Sequence, residues 1–196
     1  LRPLGFPGTM GLGVATLAGA GAEYRGEAPA GGDVSGELII LGVNAALGVD
    51  LTPRLAAGAA LNYGVGFFDL ALVQSSAMVH DHAIRGTFGF DYDLTCCTTV
   101  GLYYQTQLRL SYDDMFRTPQ GNYVDIDVDQ PDNLGLGVAN RSLCCGNLLL
   151  AADVLYKPWS SCNLYGDVFE DQWAFAFGAQ LTRCKWKYRT GYSYNT

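Results

Sequence analysis

The sequence predicts an all-β fold, an antiparallel up-and-down transmembrane β-barrel. Three observations predict it. Apolar and polar residues alternate in a period of two along most of the 196-residue chain. The alternating runs are joined by links that are short and long by turns. Charged residues are only 16% of a chain that is 49% hydrophobic, where a soluble domain usually has about 25% charged residues. With 25 Gly, 12 Tyr, 9 Phe and 3 Trp the composition also excludes disorder, and it leaves little charge to clothe a water-facing surface.

The first element is the uncharged stretch from Pro3 to Ala22, long enough for a membrane helix, but its six Gly and two Pro argue against one. Leu12, Val14 and Thr16 alternate there with Gly11, Gly13 and Ala15, which predicts a strand over 11–25. A second, weaker strand covers 37–51. Over 54–67, Leu55, Ala57, Ala59, Leu61, Tyr63, Val65 and Phe67 face away from Arg54, Asn62, Gly64 and Gly66. Over 84–94, Ile84, Phe88, Phe90, Tyr92 and Leu94 oppose Arg85, Thr87, Asp91 and Asp93. Over 99–112, Val100, Leu102, Tyr104, Leu108, Leu110 and Tyr112 oppose Gly101, Gln105, Gln107 and Arg109. Weaker strands occupy 134–141 and 147–157. The last two, 172–182 and 185–195, set Trp173, Phe175, Phe177, Trp186, Tyr188 and Tyr192 against Ala174, Gln180, Lys187 and Arg189. That is about nine strands, most of them longer than the roughly 5 to 6 residues usual in globular proteins.

Tight turns are expected at Thr52-Pro53-Arg54, Thr95-Cys96-Cys97, Cys144-Cys145-Gly146 and Thr182-Arg183-Cys184, with long polar links over 68–83, 113–133 and 158–171. Short links at one end and long ones at the other are the plan of an outer-membrane barrel. A soluble sandwich would bury its apolar faces in a core. Here the opposite face is Gly, Ala, Gln, Asn, Thr and charge, as a wet or narrow lumen requires, and the aromatics gather at strand ends like a membrane girdle.

These residues also carry a family resemblance. Arg85 to Tyr92 and Thr98 to Thr106 resemble the paired strands of FadL-type outer-membrane transporters of hydrophobic compounds, the long-chain fatty acid transport protein family. Pro131 to Asn140, Leu148 to Trp159, Gln172-Trp173, Gly178 to Gln180 and Tyr188 to Tyr192 are similar to the family's C-terminal half, in the same order. The resemblance is strongest over 35–196 within a single barrel domain spanning 1–196. It implies a bacterial outer-membrane location and passage of long-chain fatty acids or other apolar molecules through the lumen. No segment matches the family's N-terminal hatch, and the chain is expected to be about two-thirds of a larger barrel.

Transport of a greasy ligand requires apolar walls and one or two cations for a carboxylate. The candidates on lumen faces are Arg85, Arg109, Lys187 and Arg189, with Asp91 and Asp153 as partners; the competing reading is that these charges only balance one another in a hydrated interior. His80-Asp81-His82 has no third metal ligand, and its long-link position suits solvated imidazoles. Asp125, Asp127, Asp129 and Asp132 lack the Gly and Glu of a calcium loop and read as a strand with an acidic face, suited to lipopolysaccharide through divalent ions. Cys96, Cys97, Cys144, Cys145 and Cys184 lie in the short turns, where Cys97 with Cys144 and Cys145 with Cys184 are candidate disulfides; Cys162 lies at the other end.

The chain holds no GxSxG, Walker or HExxH motif, and His82 with Ser75 or Ser76 is too indefinite for catalysis, so neither an enzyme nor a cofactor is expected. A net charge of −7 without a basic patch argues against nucleic acid. Membrane lipid, lipopolysaccharide and a hydrophobic small molecule are the expected partners. A non-specific porin and a soluble or surface-attached β-rich binding protein are the alternatives.

Overall fold

The computed structural model describes residues 8–24, 34–72, 75–118, 120–164, 166 and 169–196; for 72, 75–77, 116, 117 and 145 it describes the backbone alone. The strands are β1 (Gly8–Tyr24), β2 (Val34–Thr52), β3 (Leu55–Leu72), β4 (Ser75–Thr95), β5 (Thr98–Gln105), β6 (Leu108–Arg117), β7 (Tyr123–Gln130), β8 (Asn133–Leu143), β9 (Leu148–Lys157), β10 (Gln172–Arg183) and β11 (Trp186–Asn195). Nine of them form one antiparallel sheet in the order β1-β2-β3-β4-β5-β8-β9-β10-β11, curled as a half-barrel, while β6 and β7 form a separate hairpin. No described helix is long and apolar enough to cross a membrane, a fact that does not bear on strands.

The period of two sorts the two faces. In the β3–β4 pair Asn62 stands opposite Arg85 and Gly64 opposite Ala83 on the inner face, while Tyr63 opposes Ile84 on the outer one. The outer face is left bare: Leu12 is 81% exposed, Ile84 60%, Phe177 58% and Tyr192 68%. Among the described residues no second sheet packs on this face. The tight turns fall where expected. At Thr52 the hydroxyl accepts from the N–H groups of Arg54 and Leu55 at 3.2 and 3.0 Å, closing the β2–β3 turn.

Three expectations are corrected. The run 99–112 is two strands, because the chain leaves the ladder at Thr106–Gln107. There Thr106 N–H donates to the Gly86 carbonyl at 2.9 Å, and Gln107 N–H donates to the Asp132 carboxylate at 2.8 Å. Alternation continues through the break, which hid it. Leu108, Leu110 and Tyr112, expected to face outward, are instead almost wholly buried on the inner wall. Arg109 accordingly lies on the hairpin, exposed, its Nε donating to Gln107 Oε1 at 2.9 Å, and is not a side chain of the barrel wall.

The second correction concerns 68–83, expected as a long polar link. β3 and β4 pair without a register shift as far as Leu72 opposite Ser75. At 18 and 21 residues these strands are far longer than the roughly 9 to 11 that suffice to cross a bilayer, so the polar residues of 68–83 are strand and not a link. His80 and His82 therefore stand on β4, with ring centroids 6.3 and 6.1 Å from those of Phe67 and Tyr63. The Ser75 and Ser76 side chains lie outside the described residues.

The third concerns β1, whose alternation breaks in a bulge between Thr16 and Ala18. The bulge turns Leu17 onto the inner face, over Gly42. A Cβ on Gly42 would lie 2.6 Å from the Leu17 side chain, so glycine makes the room that Leu17 occupies.

Candidate functional site

The inner wall divides into three levels. At the top, β6 and β7 fold back into the half-barrel and lie against β2, β3 and β4. Leu108, Leu110, Tyr112, Met115 and Val128 pack with Leu38 and Ile40 into the buried cluster of the protein, with Phe68 edge-on to Tyr112 at 5.4 Å. Two glycines allow the approach. A Cβ on Gly64 would meet Leu108 at 3.2 Å, and one on Gly66 would touch the Tyr112 hydroxyl and lie 2.7 Å from Leu110 Cδ1.

Beside this hairpin is an apolar pocket of about 290 Å³ lined by Leu38, Ile40, Val128, Gln130, Trp159 and Phe169. On its outer side are Trp159, in the short Trp159–Ser161 turn segment, and Phe169, with their rings 5.9 Å apart. Asp171 ties this segment down: its carboxylate accepts from the Ser160 hydroxyl at 2.6 Å, the Tyr156 hydroxyl at 2.5 Å and the Ser160 N–H at 3.1 Å. The Ser160 hydroxyl first, then Tyr156 and the Ser160 N–H, hold the Asp171 carboxyl below its usual range. The stabilisation is therefore complete above the roughly 3.9 of an unconstrained Asp and is lost as pH falls through the lower folded value. Fluorescence of Trp159, with Trp173 and Trp186 replaced by Phe, is expected to stay constant from neutral pH to about 4 and to change below it. Asp171→Asn is expected to remove the acid transition and leave the segment loose at all pH values.

The middle level is a polar belt on β3, β4, β5 and β8. Asn62 Nδ2 and Gln105 Nε2 both donate to the Thr87 hydroxyl, at 3.2 and 2.9 Å, and Asn133 Nδ2 donates to Gln105 Oε1 at 2.9 Å. Arg85 is the cation of this belt. It is 8% exposed, and its Nη1 donates to the neutral Gln130 Oε1 at 3.1 Å. Its Nε is buried without a partner, and no carboxylate pairs with it among the described residues. Asp129, the buried carboxylate next along β7, is already occupied by Gln107 Nε2 at 3.2 Å and the Asn163 N–H at 3.3 Å. Beside it, burial and then the Asp129 charge hold the Cys162 thiol above its ordinary value.

Below the belt the wall opens into a concavity of about 840 Å³, floored by small residues such as Gly58, Gly89, Gly101, Gly135 and Ala176 and carrying Tyr103, Asp91 and Asp153. A Cβ on Gly101 would lie 2.7 Å from the Asp91 carboxylate, and one on Gly135 would strike the Tyr103 ring, so the small floor is what admits these side chains.

The structure thus places Arg85, Asp91 and Asp153 on one inner wall at two heights. Lys187 and Arg189 lie on the edge strand β11, where Arg189 Nε donates to Gln180 Oε1 at 2.7 Å. Sequence reading missed Gln130, Trp159, Phe169 and the two pocket residues of β2. The Gly64-x-Gly66 spacing on an inner face was the signal that something packs there.

The candidate disulfides are not formed. The thiols of Cys96, Cys97, Cys144 and Cys184 are free, and the Cys145 side chain lies outside the described residues. Register explains it for the first pair: Thr98 stands opposite Asn140 and the Arg141 N–H donates to the Cys97 carbonyl at 2.7 Å, so Cys144 lies three residues beyond Cys97.

No family model and no curated protein matches the chain by sequence. Solved structures match it by shape. The Pseudomonas putida toluene transporter TodX aligns over 95% of this chain with a TM-score of 0.69 and 18% identity. A Pseudomonas aeruginosa FadL homologue aligns over 96% with a TM-score of 0.76 and 13% identity. The fold is that of the FadL-type barrels. The likeness to the FadL-type fold extends through 95% of the chain, beyond the 35–196 stretch where the sequence resemblance is strongest. A TodX deletion mutant described as a monoaromatic hydrocarbon channel aligns with a TM-score of 0.70 and 17% identity. The chain spans 64% of the length of TodX, 57% of that of the FadL homologue and 63% of that of the deletion mutant.

Proposed function

We propose that this chain forms much of the wall of a bacterial outer-membrane channel for hydrophobic small molecules, with long-chain fatty acids as its substrates. The observation that carries the reading is Arg85. A buried guanidinium with an orphan Nε and no carboxylate partner among the described residues, it lines neither cavity itself but is held by Gln130, which lines the apolar pocket, and stands four residues along β4 from Gly89 of the larger concavity. A fatty acid completes it: the carboxylate accepts from Arg85 while the tail lies against Leu38, Ile40, Val128 and Trp159. Gln130, which both lines the pocket and holds Arg85, places the head beside the tail. Onward movement is passive diffusion into the concavity below.

The similarity in fold to a toluene transporter and a FadL homologue supports passage of apolar molecules, and the apolar hairpin packed on the inner wall favours it over a wide aqueous porin. In this reading the bare outer face is covered by lipid, and the acidic β7 edge above it meets lipopolysaccharide through divalent cations.

Titrating the full-length protein with palmitate is expected to change Trp159 fluorescence saturably, with Trp173 and Trp186 replaced by Phe. Sugars are expected to leave it unchanged. A linear, unsaturable response to palmitate would count against the reading.

A further inference from the structure

The short-turn end of the sheet carries a feature that passage of apolar molecules does not use. Cys96 and Cys97 form the turn between β4 and β5, and their sulfurs lie 3.4 Å apart. Three contacts fix the backbone that carries them. The Cys97 N–H donates to the Thr95 hydroxyl at 3.2 Å, and the Arg141 N–H of the neighbouring strand donates to the Cys97 carbonyl at 2.7 Å. The Thr99 hydroxyl donates to the Asp93 carboxylate at 2.6 Å, bracing the two strands just before the turn. Cys96 is exposed, so the pair is open to solutes.

The separation of the two sulfurs selects among the things two thiols can do. It is well beyond the roughly 2.0 Å of a disulfide. It is also shorter than the roughly 3.8 Å edge of a tetrahedral zinc thiolate with Zn–S of about 2.3 Å. Linear two-coordinate soft ions require sulfurs on opposite sides of the metal. A trivalent metalloid carries a lone pair, and its pyramidal bonds meet near a right angle, which draws two sulfurs closer than a tetrahedral ion does. Among the described residues no cluster of three His, Cys, Asp or Glu side chains could complete a zinc shell. A centre that needs only two protein sulfurs suits this turn; one that needs three or four does not.

We propose that Cys96 and Cys97 form a bidentate dithiolate site for thiophilic trivalent metalloids, arsenic(III) and its mono-organic derivatives foremost. The chemistry balances without an oxidant. A mono-organic arsenic(III) oxide condenses with both thiols, two As–S bonds replace the arsenic–oxygen bond, the two thiol protons leave with the oxygen as water, and arsenic stays trivalent. Because the sulfurs are held in one turn, the second As–S bond closes a ring without ordering any further chain, which is what makes a dithiol outcompete single thiols in solution. The Cys97 thiol sits above its usual range, first through its hydrogen bond with Cys96 and then through the charge there.

The test uses the full-length protein in detergent, reduced with a phosphine, with Cys144, Cys145, Cys162 and Cys184 replaced by Ser, and phenylarsine oxide as the probe. The expected result, read by intact mass, is one arsenical at the Cys96–Cys97 turn that survives a hundredfold excess of a monothiol and is removed by a dithiol. Cys97→Ser is expected to weaken retention at least tenfold and make it monothiol-sensitive. Two results would overturn the proposal: an adduct that the monothiol strips from the Cys96–Cys97 protein, or no adduct although maleimide counts both thiols as reactive.

Discussion

Replacing Gly66 by valine is expected to drive the β6–β7 hairpin off the inner wall and expose it to protease. The hairpin has no ladder with the nine-stranded sheet, so it is held by side-chain packing and a few hydrogen bonds such as the Ser111 N–H to Asp81 at 2.7 Å. Burial of Leu108, Leu110, Tyr112, Met115 and Val128 contributes on the order of 10 kcal/mol at about 2 kcal/mol each, as an upper bound. Forcing a larger side chain into this contact costs about 1 to 3 kcal/mol by overpacking. The side chain cannot be absorbed cheaply, because Tyr112 and Leu110, the groups that it meets, are each 1% exposed. Trypsin cleavage after Arg109 is expected to rise at least tenfold, about 1.4 kcal/mol of docking stability. Gly66→Ala is expected to be milder, and milder still with Tyr112→Phe, since the hydroxyl is the nearest atom it meets. Equal cleavage in wild type and Gly66→Val would mean that the hairpin is not seated on this wall.

The second large effect is expected at Arg85. A hydrogen bond to a charged group contributes about 1.5 to 3 kcal/mol, so Arg85→Leu should weaken binding of a long-chain carboxylate roughly 10- to 100-fold. The same substitution should leave an uncharged hydrocarbon of equal length within about twofold, because the pocket walls at Leu38, Ile40, Val128 and Trp159 are unchanged. It also removes an unsatisfied buried cation, so stability is expected to hold or rise. Arg109→Leu is the matched control: its guanidinium is exposed on the hairpin and bonded to Gln107, and no change in carboxylate binding is expected. Isothermal titration with both ligand types reads both variants against wild type. Parallel losses for carboxylate and hydrocarbon would point to damaged packing and away from a head-group contact.

The barrel wall was legible in the sequence because its determinant is local. A strand between lipid and lumen alternates residue by residue, and the pairs that place Phe177 outward and Ala176 inward on β10 follow from that pattern alone. The short turns were legible for the same reason. The hairpin was not. Leu108, Leu110 and Tyr112 carry the same alternation whether they face lipid or dock on another strand, and the choice depends on Gly64 and Gly66, more than forty residues away in the chain. Nor was the extension of β3 and β4 to Leu72 and Ser75, since polar residues such as Asp69 and Ser76 read equally as loop and as strand. For the site, Arg85 could be placed on the lumen face by counting in twos, but its isolation from carboxylates is a property of the assembled wall. Asp129, the buried acid beside Gln130 on β7, turns to Gln107 and Asn163 instead.

Uptake into liposomes tests the central claim most directly. Vesicles carrying the full-length protein are loaded with an intravesicular fatty-acid-binding reporter and offered labelled palmitate or a labelled disaccharide at equal concentration. The proposed channel admits palmitate saturably, faster than protein-free vesicles and at least tenfold slower with Arg85→Leu, and it excludes the disaccharide. Disaccharide entry that rises in proportion to concentration, with palmitate no faster than in protein-free vesicles, would contradict it.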